Sequence, residues 1–166
     1  MLAVNPPNPY SERVTLDFQR QPGHLIRRCL QLHHTMFADG VAGRNITVPQ
    51  WAAIRALHEF PGIEQAKLSE LIAYDRSTIG GLVDRLEAKG LVARSQHAAD
   101  RRAKLLNLTA EGQVLFESLH SRVREVTSAF VAPLSPDEAA QLVALLERLL
   151  DRDDGANVDR EAHSIE

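Results

Sequence analysis

The feature that most constrains the fold is a charged segment between two short, largely extended runs, Leu91–Gln96 and Lys104–Leu108. The segment Asp100–Lys104 places three cations and one carboxylate within five residues. The flanking runs are typical of strands and predict a hairpin with a charged tip. Thr109 follows directly and suits the N-cap of a long helix. A basic hairpin that leads into a helix favours a wing in contact with a phosphate backbone, and a solvated charged turn is the alternative.

Apolar periodicity predicts four helices before this hairpin. The first covers 23–38 and is apolar over so wide an arc that we expect a partner chain to bury part of it. Thr47 opens the second helix with a capping box, and the third covers about 64–73. Asp75 caps the fourth helix, which Gly90 ends as a C-terminal glycine. The residues expected to face inward on the third and fourth helices are Leu68, Leu71, Ile72, Ile79, Leu82, Val83 and Leu86. The third and fourth helices therefore form a helix-turn-helix with the hairpin as its wing.

The predicted fold is mostly α, a winged helix-turn-helix. A long helix from Thr109 and a last helix after the Ser135 capping box complete it, and the chain is expected to fray after Asp151. The expected segments are an N-terminal arm (1–21), dimerisation helices (22–46 and 109–151), a DNA-binding domain (47–108) and an acidic C-terminal tail (152–166).

Charge is distributed unevenly along the chain, although the 166 residues carry a net charge of only −3. Residues 67–104 hold a net +3, and residues 133–166 hold −6. The local balance therefore allows nucleic-acid binding in the middle of the chain. No apolar run approaches the roughly 18 residues that span a bilayer, and the N-terminus has no signal-peptide pattern. With its single cysteine, the chain is expected to be cytoplasmic, without membrane contact.

The fourth helix is the candidate recognition helix, because such helices place their N-terminal end in the major groove. Its hydroxyl groups suit phosphates or base edges, and its arginines suit phosphates or guanine. Two adjacent glycines inside it cost roughly 1 kcal/mol each relative to alanine. Either the helix backbone approaches the bases closely, or the glycines permit tight packing against the second helix. The predicted contacts on this helix are Arg76, Ser77, Thr78, Gly81 and Arg85.

The wing residues separate into two roles. Arg101 and Arg102 are expected to enter a minor groove, where a narrow A·T-rich groove attracts arginine. Lys104 is assigned to a phosphate, and Arg94 is included in the same DNA-binding set. Asp100 is expected to brace the hairpin by pairing with an arginine, for which Arg94 is the natural partner.

The runs Leu68–Leu71, Asp75–Ile79, Asp84–Arg94 and Asp100–Lys104, followed by Leu108-Thr109 and Gly112, resemble the multiple antibiotic resistance regulator (MarR) family. The resemblance covers roughly 22–151. It implies an all-helical homodimer with winged lobes, in which the N- and C-terminal helices form an intertwined dimerisation region. It also implies binding to palindromic double-stranded DNA, usually with repression of nearby genes. Many members release DNA when a small aromatic, often anionic, ligand binds between the dimerisation and DNA-binding parts. Gly80-Gly81 departs from the polar pair more common at these positions in the family. DNA shape could therefore contribute more to sequence recognition than direct side-chain contacts to bases.

The family fold implies an effector pocket lined by the first, second and fifth helices. An arginine beside an aromatic wall suits an aromatic carboxylate. The start of the first helix resembles members that respond to hydroxycinnamates, hydroxybenzoates or hydroxynicotinates. The alternative for each residue is an ordinary core or surface role. The nominated residues are His24, Arg27, Arg28, His33, Phe37, Trp51 and Arg55.

Other chemistry has weaker support. Cys29 invites a peroxide-sensing interpretation, but it lies in an apolar stripe without a second cysteine, which favours an inert core residue. The seven histidines show no metal-ligand spacing, so neither a metal nor another cofactor is expected. No catalytic motif is present, and an enzyme is not expected. A helical protein-interaction module without DNA binding remains the alternative from another class.

Overall fold

The computed structural model describes residues 18–96 and 104–162. A 3-10 turn, Phe18–Arg20, precedes α1 (Pro22–Gly40) and α2 (Val48–Glu59). The two-residue strand β1 (Ile63–Glu64) leads into α3 (Gln65–Leu71) and α4 (Arg76–Ala88). The strands β2 (Val92–Gln96) and β3 (Lys104–Leu108) are followed by α5 (Ala110–Val131) and α6 (Pro136–Ala162). The mostly helical fold with a small sheet confirms the predicted winged helix-turn-helix class.

Helix boundaries follow the predicted caps. Thr47 Oγ1 accepts from the Gln50 backbone N–H at 3.4 Å, and Gln50 Oε1 accepts from the Thr47 N–H at 3.2 Å, which completes the capping box of α2. Ser135 and Glu138 exchange the equivalent pair at the start of α6. Gly90 has a φ of +69°, the left-handed conformation that ends α4 without a Cβ penalty.

The three strands form one antiparallel sheet in the order β1-β3-β2. Val92 pairs with Leu108 and Gln96 with Lys104, so the two strands form the predicted hairpin. β1 was not predicted, because a two-residue strand between helices carries no periodic signal. Ile63 pairs with Leu106 at the centre of β3, so β1 adds a third strand to the sheet, next to β3.

One apolar core joins α2, α3, α4 and the sheet. Its fully buried members include the inward face predicted for α4, together with residues from each neighbouring element. Leu71 on α3, predicted to point inward, is instead 48% exposed, because α3 ends there and the chain turns through Ala73. The largest fully buried side chains are Ile54, Leu57, Leu68, Ile79, Leu82, Val83, Leu86, Val92 and Leu106.

The chain divides into two compact units, one ending at Val126 and one beginning at Thr127. Within the first, α1 buries only Phe37, whereas its Leu25, Ile26, Leu30 and Leu32 are 45–53% exposed. In the second, α6 continues helical to Ala162, beyond the predicted end at Asp151. No proline interrupts this acidic stretch, so the backbone can extend the helix.

Candidate nucleic-acid interface

The N-terminal end of α4 is organised around the carboxylate of Asp75. The carboxylate accepts the Ser77 hydroxyl at 2.5 Å, the Thr78 hydroxyl at 2.7 Å and the Thr78 backbone N–H at 2.8 Å. The hydroxyl bonds, with the backbone bond, hold the pKa of Asp75 well below its usual range, so it stays ionised. Because both hydroxyl protons point at Asp75, Ser77 and Thr78 present lone pairs outward. These suit the amino groups of adenine or cytosine.

The exposed face of α4 continues with Arg85 and the two glycines. A Cβ added at Gly81 would lie 3.5 Å from a guanidinium nitrogen of Arg85, and one at Gly80 would lie 3.9 Å from Gln65 Nε2. Both distances are ordinary van der Waals contacts, so packing does not require glycine at either position. The structure therefore argues against tight packing and leaves close approach to DNA as the interpretation of the pair. The side chain of Arg76, which begins α4, lies outside the described residues.

Arg94 on β2 connects the wing to the recognition helix. Its guanidinium forms ion pairs with Asp84 at 2.6 Å and with Glu87, and it also donates to Gln65 Oε1 of α3 at 3.5 Å. Burial alone would lower the pKa of Arg94, but the bonds to the two carboxylates raise it. Its side chain is only 17% exposed. Arg94 thus pairs with two carboxylates on the helix that is expected to face phosphates and offsets one of their two negative charges.

This arrangement was not foreseen from the sequence. Arg94 was assigned to the DNA surface and as the partner of Asp100, whereas the structure gives its guanidinium to Asp84 and Glu87. Glu87 and Asp84 lie seven and ten positions before Arg94, on the helix rather than on the strand, so no local sequence pattern predicts the cluster. The DNA contact of Arg94 stays a prediction, and any such contact would be secondary to these pairs.

At the wing, Lys104 is exposed and pairs across the hairpin with Gln96. The predicted minor-groove residues Arg101 and Arg102, and the predicted brace Asp100, lie outside the described residues. Their assignments stay predictions.

The residue that closes the hairpin also anchors α5. Thr109 donates its hydroxyl to the Gly90 carbonyl at 2.6 Å and its backbone N–H to the Leu91 carbonyl at 3.1 Å. The same hydroxyl accepts the Gly112 N–H at 3.0 Å, which makes Thr109 the predicted N-cap. The end of the recognition helix and the start of α5 are therefore joined by directed hydrogen bonds.

The nominated effector residues occupy different environments. Phe37 and Trp51 are buried in the core, whereas Arg27, Arg28 and Arg55 are exposed. His24 packs on Phe18 with ring centroids 4.6 Å apart. Burial, followed by the nearby His34, lowers the pKa of the half-buried His33. The ligand-binding role of these residues stays a prediction.

An aromatic stack between α2 and α5 is centred on Phe116 and includes Trp51. Phe116 of α5 lies parallel to Trp51 at 5.5 Å, to His58 at 3.8 Å and to His120 at 5.6 Å between ring centroids. His58 Nδ1 lies 3.1 Å from Gln113 Oε1, which adds a polar link between the two helices. Of these four rings, only Trp51 was nominated from the sequence, because the packing of α2 on α5 is what brings the rings together.

Two open cavities lie elsewhere on the first unit. One of about 390 Å³ is bounded by Arg44, Leu91 and the first turns of α5. The other, about 360 Å³, lies between Phe60 and Leu71. Neither contains any of the nominated effector residues.

Known proteins share both the sequence and the fold. The family model described as "MarR family" matches residues 46–104. The transcriptional repressor NicR of Pseudomonas putida is 31% identical over 140 residues, which are 84% of this chain and 89% of NicR. The chain belongs to the MarR family. It is a DNA-binding transcriptional regulator, and MarR proteins are regulators rather than enzymes.

Two solved MarR-type structures resemble the chain closely. PcaV of Streptomyces coelicolor, solved with its natural ligand, has a TM-score of 0.77 and 37% identity, over 82% of this chain and 96% of PcaV. BpsR of Bordetella bronchiseptica, whose DNA binding is described as regulated by 6-hydroxynicotinic acid, has a TM-score of 0.77 and 31% identity, over 81% of this chain and 96% of BpsR. The resemblance to the MarR family drawn from the sequence is therefore confirmed.

Within this MarR protein, Cys29 is exposed, so the predicted core burial is wrong for the single chain. It lies on α1 near the exposed leucines, a face that the described first unit does not cover. Among residues 18–96 and 104–162, no cluster of three histidine, cysteine or acidic side chains could hold a metal. None of the helices in the described part is long and apolar enough to cross a membrane.

Proposed function

We propose that this MarR protein is a cytoplasmic homodimeric repressor that binds a pseudo-palindromic operator and leaves it when a small aromatic acid binds. The observation that carries the proposal is the recognition helix itself. Its N-terminal hydroxyls and exposed Arg85 lie on one element, and Arg94 fixes the wing strand beside it. Helix and wing are thus held as one surface that can engage adjacent grooves.

The dimer is supported by apolar surface that a single chain leaves in water. On α1, Leu25, Ile26, Leu30 and Leu32 are each at least 45% exposed, and α6 exposes Leu145 and Leu149 by 47% and 55%. Such contiguous apolar helix faces mark interaction sites in soluble proteins. Two copies would also place two recognition helices on half-sites about 34–36 Å apart, one helical turn.

The effector class is supported by the exposed guanidinium groups of Arg27 and Arg28 on α1, which suit a carboxylate. The regulation of BpsR by 6-hydroxynicotinic acid points to the same class of ligand. The repressor role is supported by NicR, which is named as a transcriptional repressor.

The test measures binding of the protein to the promoter region of its own gene by fluorescence anisotropy across a salt series. We expect Arg85→Ala and Arg101→Ala to weaken binding and each to reduce the magnitude of the slope of log K against log salt by about 1, because each removes a cation that offsets phosphate charge at the DNA surface. Arg124→Ala removes an exposed cation from α5 and should leave binding unchanged. In a second arm, 6-hydroxynicotinate or 4-hydroxybenzoate should release the DNA, and uncharged benzamide should not.

Absence of salt-dependent binding by the parent protein would favour the interaction module instead. Release by peroxide but by none of the acids, abolished in Cys29→Ser, would replace the aromatic effector with redox sensing. Wild-type binding by both arginine variants would show that the DNA surface is misassigned.

A further inference from the structure

Lys89, at the C-terminal end of the recognition helix, reaches across to the turn between α1 and α2. Its ammonium donates to the backbone carbonyl of Asn45 and, at 3.2 Å, to Gln50 Oε1. Both acceptors lie about forty positions earlier in the chain, so only the folded structure brings them together. Lys89 is not among the DNA contacts predicted from the sequence.

The acceptors that Lys89 meets are themselves fixed in place. Gln50 is only 4% exposed, and its Oε1 also accepts the Thr47 N–H of the α2 capping box. Asn45 has a φ of +52°, a left-handed conformation uncommon outside glycine, which gives the turn a defined shape. A rigid acceptor pair on one side and a charged donor on the other make a directional contact.

The same end of α4 is also held by Thr109, which donates hydrogen bonds to the backbone carbonyls of Gly90 and Leu91. The last turn of α4 is therefore attached both to the α1–α2 turn and to the start of α5. A cation that only balanced surface charge would need neither a buried amide nor a backbone carbonyl as its partner.

We propose that Lys89 is a positioning residue that sets the angle of the recognition helix relative to the α1–α2 turn, and thereby the half-site spacing that the protein accepts. The proposal rests on the proposed homodimer, in which α1 is a dimerisation helix and the turn connects it to the DNA-binding lobe. One base pair moves a half-site by about 3.4 Å along the duplex and rotates it around the axis. Spacing selectivity therefore requires the helix to be held firmly against the turn.

The first experiment compares binding to the operator, mapped by footprinting in the promoter region, with binding to duplexes that have one central base pair added or removed. Lys89→Met keeps the aliphatic stem and removes the donors. We expect it to reduce the parent's discrimination between these duplexes by between about twofold and about thirtyfold, the range typical of residues that couple two sites. Lys67→Met, which removes an exposed cation that pairs with Glu70 on its own helix, is the matched control and should retain the discrimination.

Unchanged discrimination in Lys89→Met would overturn the proposal. So would a salt slope lowered by about 1 with discrimination intact, since Lys89 would then be a phosphate contact. A parent protein that binds no duplex would instead defeat the proposed function, and the spacing role would fall with it.

A second experiment tests the contact between Lys89 and Gln50 in the absence of DNA. Gln50→Glu preserves the capping acceptor and offers Lys89 a carboxylate, so its melting temperature should stay near the parent's. Combined with Lys89→Met, it leaves a buried carboxylate without its cation, and the melting temperature should fall by more than the two single changes together. Additive shifts would show that the Lys89–Gln50 contact does not hold the helix end, which overturns the inference at its structural basis.

Discussion

Gly112 shows how one residue can set the approach of two elements. A Cβ added there would lie 2.1 Å from the Leu91 carbonyl oxygen and 3.1 Å from its carbon, and backbone atoms cannot yield as a side chain can. Gly112→Ala would therefore push α5 away from the end of α4 and break the bonds that Thr109 makes there. We expect a loss of about 1–3 kcal/mol in the free energy of unfolding, the usual cost of overpacking, measured by urea denaturation.

Gly23→Ala is the matched control for this substitution. It lies in the first turn of α1, and an added Cβ there meets nothing within 4 Å. We expect a neutral or slightly stabilising effect, because alanine has the higher helix propensity. Equal stability of the two variants would mean that α5 can shift without cost, contrary to the contacts described.

At the scale of an element, α4 carries two glycines that its own packing does not need. Gly80→Ala and Gly81→Ala should each raise the free energy of unfolding by about 0.5–1 kcal/mol through helix propensity. If the helix backbone approaches the bases, the new methyl groups should at the same time weaken binding to the operator. Urea denaturation and fluorescence anisotropy on the same samples measure the two effects separately.

The informative result is a change in the free energy of unfolding and a change in DNA affinity that have opposite signs. A more stable protein with weaker DNA binding would assign the glycines to the interface. Variants that are more stable and bind as tightly as the parent would remove any role of the glycines in DNA approach.

At the scale of the whole molecule, the exposed apolar faces of α1 and α6 must meet another surface or remain hydrated. Leu145→Glu places a charge on the apolar face of α6, where Leu145 is 47% exposed. If that face belongs to a dimer interface, the charge would be desolvated there, and we expect the dimer dissociation constant to rise by at least about tenfold, or 1.4 kcal/mol. Sedimentation equilibrium measures the constant directly.

Leu71→Glu offers a control of nearly equal exposure, because Leu71 is 48% exposed on α3 and outside the proposed dimerisation helices. It should leave the dissociation constant unchanged. A monomeric parent protein, or equal dissociation in both variants, would contradict the assignment of α6 to the interface.

Much of the fold could be predicted because its signals are local. Thr47, Asp75 and Ser135 mark helix starts through side chains that bond to backbone N–H groups three residues on, and the structure shows each of these caps. Gly90 marks a helix end through its positive φ. The strand β1 was missed because a two-residue strand between helices carries no periodic signal. The exposed position of Leu71 was missed because α3 ends at this residue, where helical periodicity no longer applies.

The sequence by itself determined the order of the helices and of the two hairpin strands, the caps that begin and end the helices, and the resemblance to the family to which the chain belongs. These follow from residues within a few positions of one another, where periodicity and capping act. Only the tertiary structure decided that Arg94 pairs with Asp84 and Glu87, that Trp51 stacks on Phe116, and that Lys89 reaches Asn45 and Gln50. A long, flexible side chain has many partners within reach of its sequence position, and the packing of the helices selects among them.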